Sequence, residues 1–218
     1  MADAAAFFDL DRTLIRRSSA LALAPAFRAA GIISRRQLAK AAAWQVLFQA
    51  RGASHEAVRR ASEDGLTVLR GFTPEELRAI VTNSMERVLR PLVYAESLDL
   101  VDRHRRRGEP VYIVSATLQE IVDAIAADLG FDGALGTVCE VVDGHYTGRA
   151  IRALHADNKA RCIEELGFDL ASSTAYSDSH TDLPFLEAVG HPVCVNPDRA
   201  LRRIAGTRGW PVLEFGRG

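Results

Sequence analysis

The apolar run Ala4-Ala5-Ala6-Phe7-Phe8 breaks at two carboxylates, Asp9 and Asp11, which a hydrophobic interior does not hold unpaired. Such a run reads as a strand buried on both faces, so this strand delivers charge to a site. Alternation turns Asp9 and Asp11 the same way and Leu10 the other. Two like charges that close call for a divalent cation, or a proton on one of them. Three further stretches carry reactive types. Ser115 closes the strand Val111-Tyr112-Ile113-Val114 and precedes a helix, which would aim its hydroxyl and the Ala116 amide at an anion. Lys159, in Asp157-Asn158-Lys159-Ala160, is the only lysine after Lys40, and a lone lysine on a helix is ordinarily solvated. Asp178 and Asp182 lie in Tyr176-Ser177-Asp178-Ser179-His180-Thr181-Asp182-Leu183, where the ordinary reading of Asp178 is a turn residue.

The elements that must position these groups alternate. After Thr13 the hydrophobic period becomes helical. One helix carries Leu21, Leu23, Ala24 and Phe27 and ends at Gly31. Ser34 is expected to cap a second over Arg35 to Arg51, Ser54 opens a third that closes at Gly71, and Thr73-Pro74-Glu75-Glu76 starts a fourth. Four consecutive helices cannot be crossovers of a parallel sheet. Residues 16–90 therefore read as a helical bundle inserted into an α/β core made of residues 1–15 and 91–218. Beyond Pro91 come helix Leu92 to Arg107, strand Pro110 to Val114, helix Thr117 to Leu129 with Thr117 as its cap, and a hairpin at Asp143-Gly144. Helix Asn158 to Leu166, strand Thr174 to Ser177, helix Asp182 to Val189, strand Pro192 to Val195 and a helix from Asp198 complete the pattern. The fold class is α/β, a doubly wound, mostly parallel sheet whose site lies beyond the carboxyl ends of the strands.

In this order and context the four stretches resemble the motifs of the haloacid dehalogenase superfamily of phosphohydrolases, across nearly the whole chain. The resemblance implies a Rossmann-like core and a division of labour. Asp9 would be the nucleophile, taking the phosphoryl group as an aspartyl-phosphate. Asp11 would be the general acid for the leaving group and then the base for water. Ser115 and the Ala116 amide would bind phosphate, and Lys159 would pair with Asp9 and the phosphate. Magnesium would be held by Asp9, the backbone carbonyl of Asp11, and Asp178, with Asp182 and Thr13 bracing them. Arg12 departs from the glycine commonest at its place in that motif. The inserted helices resemble the cap of the phosphoserine-phosphatase-like branch, subfamily IB. His180 has no role in this chemistry, and Trp44 and Phe48 read as packing within the cap.

Composition sets the outer limits. The 218 residues suffice for a sizeable core, and 48% hydrophobic with 25% charged residues is ordinary for a soluble domain. A net charge of -1 argues against a general nucleic-acid binder. Between Arg16 and Arg90 there are 13 Lys and Arg against 6 Asp and Glu, an excess of 7 that leaves -8 for the rest. Cys139, Cys162 and Cys194 have no metal-site spacing and read as reduced core residues. No stretch reaches the roughly 18 apolar residues of a membrane span, and the expected location is cytoplasmic. No Asp or Glu stands between Arg12 and His55 to receive a substrate ammonium. The expectation is thus a magnesium-dependent hydrolase of a small phosphorylated metabolite or lysophospholipid, with the basic cap compatible with peripheral contact to an anionic membrane. The alternatives are phosphoserine phosphatase proper, a phosphotransferase to an alcohol, or a non-catalytic phosphate-binding regulator. Oligomeric state is left open.

Overall fold

The computed structural model describes residues 3–34, 36, 65–155 and 157–216. Strand β1, Ala6–Phe8, is fully buried. It pairs in parallel on one side with β2, Val111–Leu118, and on the other with β5, Thr174–Ser177. Beyond β2 lie β3, Gly133–Val142, and the antiparallel edge strand β4, His145–Arg152. Beyond β5 lie β6, His191–Val195, and β7, Val212–Leu213, giving a seven-stranded order β4-β3-β2-β1-β5-β6-β7. All neighbours except β3 and β4 are parallel, so the α/β class is as expected.

Side-chain alternation along β1 separates two cores. Ala6 and Phe8 join the cluster containing Ile113, Ile121 and Val101, while Ala5 and Phe7 join the one containing Val114, Ala175 and Phe185. Helices α1, Ser19–Ala29, and α2, Pro74–Ser84, add Leu23, Phe27, Leu77 and Val81 to the Phe8 cluster. The described part of residues 16–90 thus shares its hydrophobic interior with the sheet. Helix α2 starts at a capping box, with Thr73 accepting from the Glu76 N–H and Glu76 accepting from the Thr73 N–H. The helix expected over Arg35 to Arg51, most of that expected from Ser54, and Trp44 and Phe48 lie outside the described residues.

Backbone pairing joins the residues on either side of 16–90. The Arg16 N–H donates to Leu92 O at 2.8 Å and the Tyr94 N–H to Leu14 O at 3.0 Å, around an antiparallel bridge between Ile15 and Val93. That pairing shortens the following helix. α3 runs Ala95–Arg106 rather than from Leu92, because Val93 is extended and Arg90–Leu92 form a 3-10 turn. The basic run Arg103-His104-Arg105-Arg106-Arg107-Gly108 at its end, which the sequence suggests is solvated charge complementing the helix dipole, is only partly so. His104 is buried, its Nε2 2.7 Å from the Tyr176 hydroxyl and its other ring nitrogen on Glu109.

Helix α4 is Gln119–Leu129, starting two residues later than expected. β2 does not end before Ser115; it shifts register after Val114 and pairs again at Leu118 with Thr137. Thr117 therefore caps nothing, and Leu118, the residue before α4, makes no side-chain cap. The hairpin turns at Asp143 and Gly144, with φ of 50° and 78°, the left-handed pair that a tight β-turn requires. Helix α5, Asp157–Glu164, follows β4 and carries Lys159. α6, Leu183–Glu187, is shorter than expected and is preceded by a 3-10 turn at His180–Asp182. The last helix, α7 at Arg199–Arg208, is capped by the Asp198 carboxylate, which accepts from the Leu201 N–H at 2.8 Å. Strand β7 is too short, at two residues, to announce itself in the sequence.

Candidate active site

The chain leaves β1 toward β2 and leaves β5 toward β6, so adjacent β1 and β5 are where the winding reverses. In open α/β sheets that reversal opens a crevice at the carboxyl ends of the strands. Asp9 follows β1 and Asp178 follows β5, held level by the Asp9 N–H donating to Tyr176 O at 2.9 Å. Asp9, Asp178 and Asp182 are all buried. Lys159 enters from α5, 150 residues away in sequence, and is itself buried. Its ammonium donates to Asp9 Oδ1 at 2.6 Å and to Asp182 Oδ2 at 2.7 Å. Asp182 Oδ2 also accepts from the Ser177 hydroxyl at 2.7 Å. The lysine is thus a cross-link between two motifs, and not a solvated charge.

Electrostatics follow from burial. Desolvation pushes the Asp9 carboxyl up to about 7; Lys159 opposes the shift, and Asp182 and Asp11 add to it. Asp178 is also raised, by burial first and then by Asp9, with Arg12 pulling the other way. Lys159 is raised because the two carboxylates outweigh its own desolvation. Asp9 and Asp182 share the buried Lys159 ammonium, and Asp178 meets the partly exposed Arg12, so among the described residues the buried carboxyls outnumber the cations. Among the described residues no three His, Cys, Asp or Glu side chains form a ready cage for a metal. The expected set needs only two carboxylates and a backbone carbonyl, all oxygen donors that suit a hard divalent cation. The residues therefore fit magnesium.

Asp11 is held apart from this cluster. The backbone turns after Leu10, whose carbonyl accepts from the N–H groups of Leu14 and Ile15 at 2.9 and 3.0 Å. Asp11 Oδ1 accepts from the Ser19 N–H at 2.8 Å, at the start of α1, while the Ser18 hydroxyl caps that helix. Burial raises the Asp11 carboxyl against these hydrogen bonds, which favours its protonated form. Ser19 is fully buried, and its hydroxyl lies 3.2 Å from that of Thr117. Sequence reasoning missed Ser19, Thr117 in this role, and Ser177. The signal for Ser19 was available, since Ser18 stands directly before an apolar helical run.

Ser115 is buried, and its Oγ accepts from the Thr117 N–H at 3.2 Å. It lies within β2, four residues before α4, so the strand's bulge and not a helix N-terminus sets its direction. Ala116, by contrast, is exposed, and its carbonyl accepts from the Thr137 hydroxyl at 2.8 Å. Thr13 is buried, with no partner for its hydroxyl among the described residues, and its carbonyl accepts from the Ser97 hydroxyl at 2.9 Å. His180 lies to one side, its Nδ1 2.8 Å from Asp198.

Comparison with known proteins bears on the family and the fold. A family model described as haloacid dehalogenase-like hydrolase matches residues 6–187. A probable phosphatase of Mycobacterium tuberculosis (strain H37Rv) is 44% identical over 217 residues, covering 98% of this chain and 76% of that one. The phosphoserine phosphatase SerB1 of the same organism is 35% identical, covering 97% of this chain and 71% of that protein. Among solved structures, a phospho-aspartyl intermediate analogue of phosphoserine phosphatase superposes with a TM-score of 0.69 at 16% identity, covering 98% and 94% of the two chains.

Proposed function

This chain belongs to the haloacid dehalogenase-like hydrolases and is a phosphatase of the phosphoserine-phosphatase-like kind, and from that premise we propose that it is a magnesium-dependent phosphomonoesterase working through an aspartyl-phosphate on Asp9. The observation that carries this reading is the buried chain Asp182–Lys159–Asp9 beside Asp178, with Asp11 held away by Ser19. Lys159 fixes one Asp9 oxygen and leaves the other to attack phosphorus in line with the leaving oxygen. As the Asp9–phosphorus bond forms and the ester bond breaks, Asp11 gives its proton to the departing alkoxide. Asp11 then takes a proton from water as that water attacks phosphorus, the Asp9 oxygen–phosphorus bond breaks, and the Asp9 carboxylate and inorganic phosphate are released. Ser115 and the Ala116 amide bind the phosphoryl oxygens. Asp9, the Asp11 carbonyl and Asp178 would hold magnesium, which supplies neutralisation of the phosphate charge that would otherwise repel a carboxylate. Asp182 braces Lys159, and Thr13 braces the turn.

Residues 16–90 serve in this reading as a cap over the leaving group, on a core of residues 1–15 and 91–218. The segment that follows Asp11 presents Arg16, Arg17, Ser18 and Ser19. Ser19 is occupied by Asp11 and Thr117, and Arg16 lies over the Tyr94 ring at 5.6 Å. With no acid there for an ammonium, the proposed substrate is a small phosphomonoester or lysophospholipid with an anionic or neutral leaving group. Phosphate release across a panel of phosphorylated metabolites and lysophospholipids, with magnesium and with EDTA, tests this. Phosphoserine should rank below anionic and neutral esters, and EDTA should abolish release. Phosphoserine as the best substrate by a wide margin would overturn the reading of the cap, and full activity in EDTA that of the metal. Added acceptor alcohols separate hydrolysis from phosphotransfer.

The raised carboxyls make a second prediction. A group whose folded pKa exceeds its unfolded one binds its proton more tightly when folded, so its contribution to stability falls as pH rises. For Asp9 that loss spans the interval from the ordinary aspartate value of 3.8 to about 7. Without divalent cation, the melting temperature should therefore fall between about pH 4 and about pH 7 on account of these groups. Magnesium binds the ionised form, so the rise in Tm that it produces should be larger at neutral pH than at about pH 5. Calorimetry at both pH values checks this, and a magnesium effect larger at acidic pH would contradict it.

A further inference from the structure

Arg12 follows Asp11 and has φ of 65°, a left-handed backbone that costs a residue with a side chain roughly 1 kcal/mol and glycine nothing. The turn does not need an arginine, because the backbone N–H groups of Leu14 and Ile15 close it onto Leu10. What the side chain does is meet Asp178. Its Nη1 lies 3.5 Å from Asp178 Oδ2, and it approaches from the solvent side, 38% exposed against 7% for its partner. Lys159, the buried ammonium of the site, is committed to Asp9 and Asp182. Among the described residues, Arg12 is therefore the cation paired with Asp178.

A guanidinium and a divalent cation on one carboxylate repel each other and offer the same oxygens the same service. We infer that Arg12 competes with the divalent cation for Asp178, so that metal affinity at this site is set below what its oxygen ligands alone would give. The inference rests on the reading of Asp178 as a metal ligand.

Titration of the purified full-length protein with Mn2+, followed by the paramagnetic relaxation of water at low ionic strength without substrate, tests it. Four variants separate the contributions. Arg12→Gln removes charge and keeps a side chain on the left-handed backbone, whereas Arg12→Gly removes both charge and strain. Arg12→Lys keeps charge without the planar fork, and Asp178→Asn removes the carboxylate. Arg12→Gln and Arg12→Gly should both bind Mn2+ about tenfold tighter than wild type, the scale of one opposite charge on a carboxylate. Arg12→Lys should fall between them and wild type, and Asp178→Asn should bind poorly. Wild-type affinity in Arg12→Gln, with binding lost in Asp178→Asn, would overturn the competition and leave the metal site standing. Tightening in Arg12→Gly alone would assign the effect to backbone strain, which also overturns it. Unchanged binding in Asp178→Asn would remove the metal reading of that residue, and the inference with it.

Discussion

The Asp9→Asn protein is expected to release phosphate on the order of 10⁴-fold or more slowly than wild type, the scale on which removal of a covalent nucleophile acts, and to form no phosphoenzyme. Asparagine fills the same buried space and still accepts from Lys159, so the loss isolates nucleophilicity from packing. The companion Asp11→Asn protein should behave differently. It keeps the nucleophile, and with an activated ester such as p-nitrophenyl phosphate the leaving group needs no proton. Phosphoenzyme should then form and persist, because no base takes the proton from water. Rapid acid quench followed by intact-mass measurement reads the added phosphoryl group directly. Equal turnover by the two mutants, or phosphoenzyme in Asp9→Asn, would remove these roles.

The second large effect falls on stability. Lys159 is buried between Asp9 and Asp182 at 2.6 and 2.7 Å, and its ammonium also lies 5.4 Å from the Phe185 ring centroid. Lys159→Ala would leave two desolvated carboxyls without their cation, a loss of about 3–5 kcal/mol when one partner of a buried pair is removed. At the roughly 2–4 °C per kcal/mol of a chain this size, the melting temperature should drop by about 10 °C. Lys159→Met restores the packing but not the charge, and should recover only a small part. Adding Asp182→Asn to Lys159→Ala should recover more, because one stranded charge is gone. The deficit should also shrink at acidic pH, where Asp9 takes up a proton. A Lys159→Ala protein that melts with the wild type would show that the pair contributes nothing.

What could be read from the sequence was whatever is decided by neighbours along the chain. The apolar run into Asp9, the Asp143-Gly144 turn, the helix start at Thr73 and the helix from Asp198 each follow from local chemistry, and each stands in the structure. The four motif stretches were legible for the same reason. What was not legible is decided by distant partners. β2 runs through Ser115 to Leu118 because β3 continues to offer it a ladder, which no property of Ser-Ala-Thr announces. β7 exists because β6 has a free edge. His104 looked like one more solvated charge at a helix end, yet Tyr176 and Glu109 draw it into the interior. Arg12 looked like a tolerated variation, and only the folded chain sets it beside Asp178.

The hydrogen bond from the Ser19 amide to Asp11 carries a practical consequence for chimeras in which this inserted segment is exchanged with that of a relative. Sequence boundaries alone would place the upstream cut near residue 16. On the proposed role of Asp11, a cut there would leave the placing of its carboxyl to the incoming segment, whose opening residues need not set an amide at that spot. The transplant junction belongs downstream of Ser19, so that the recipient keeps its own amide on Asp11.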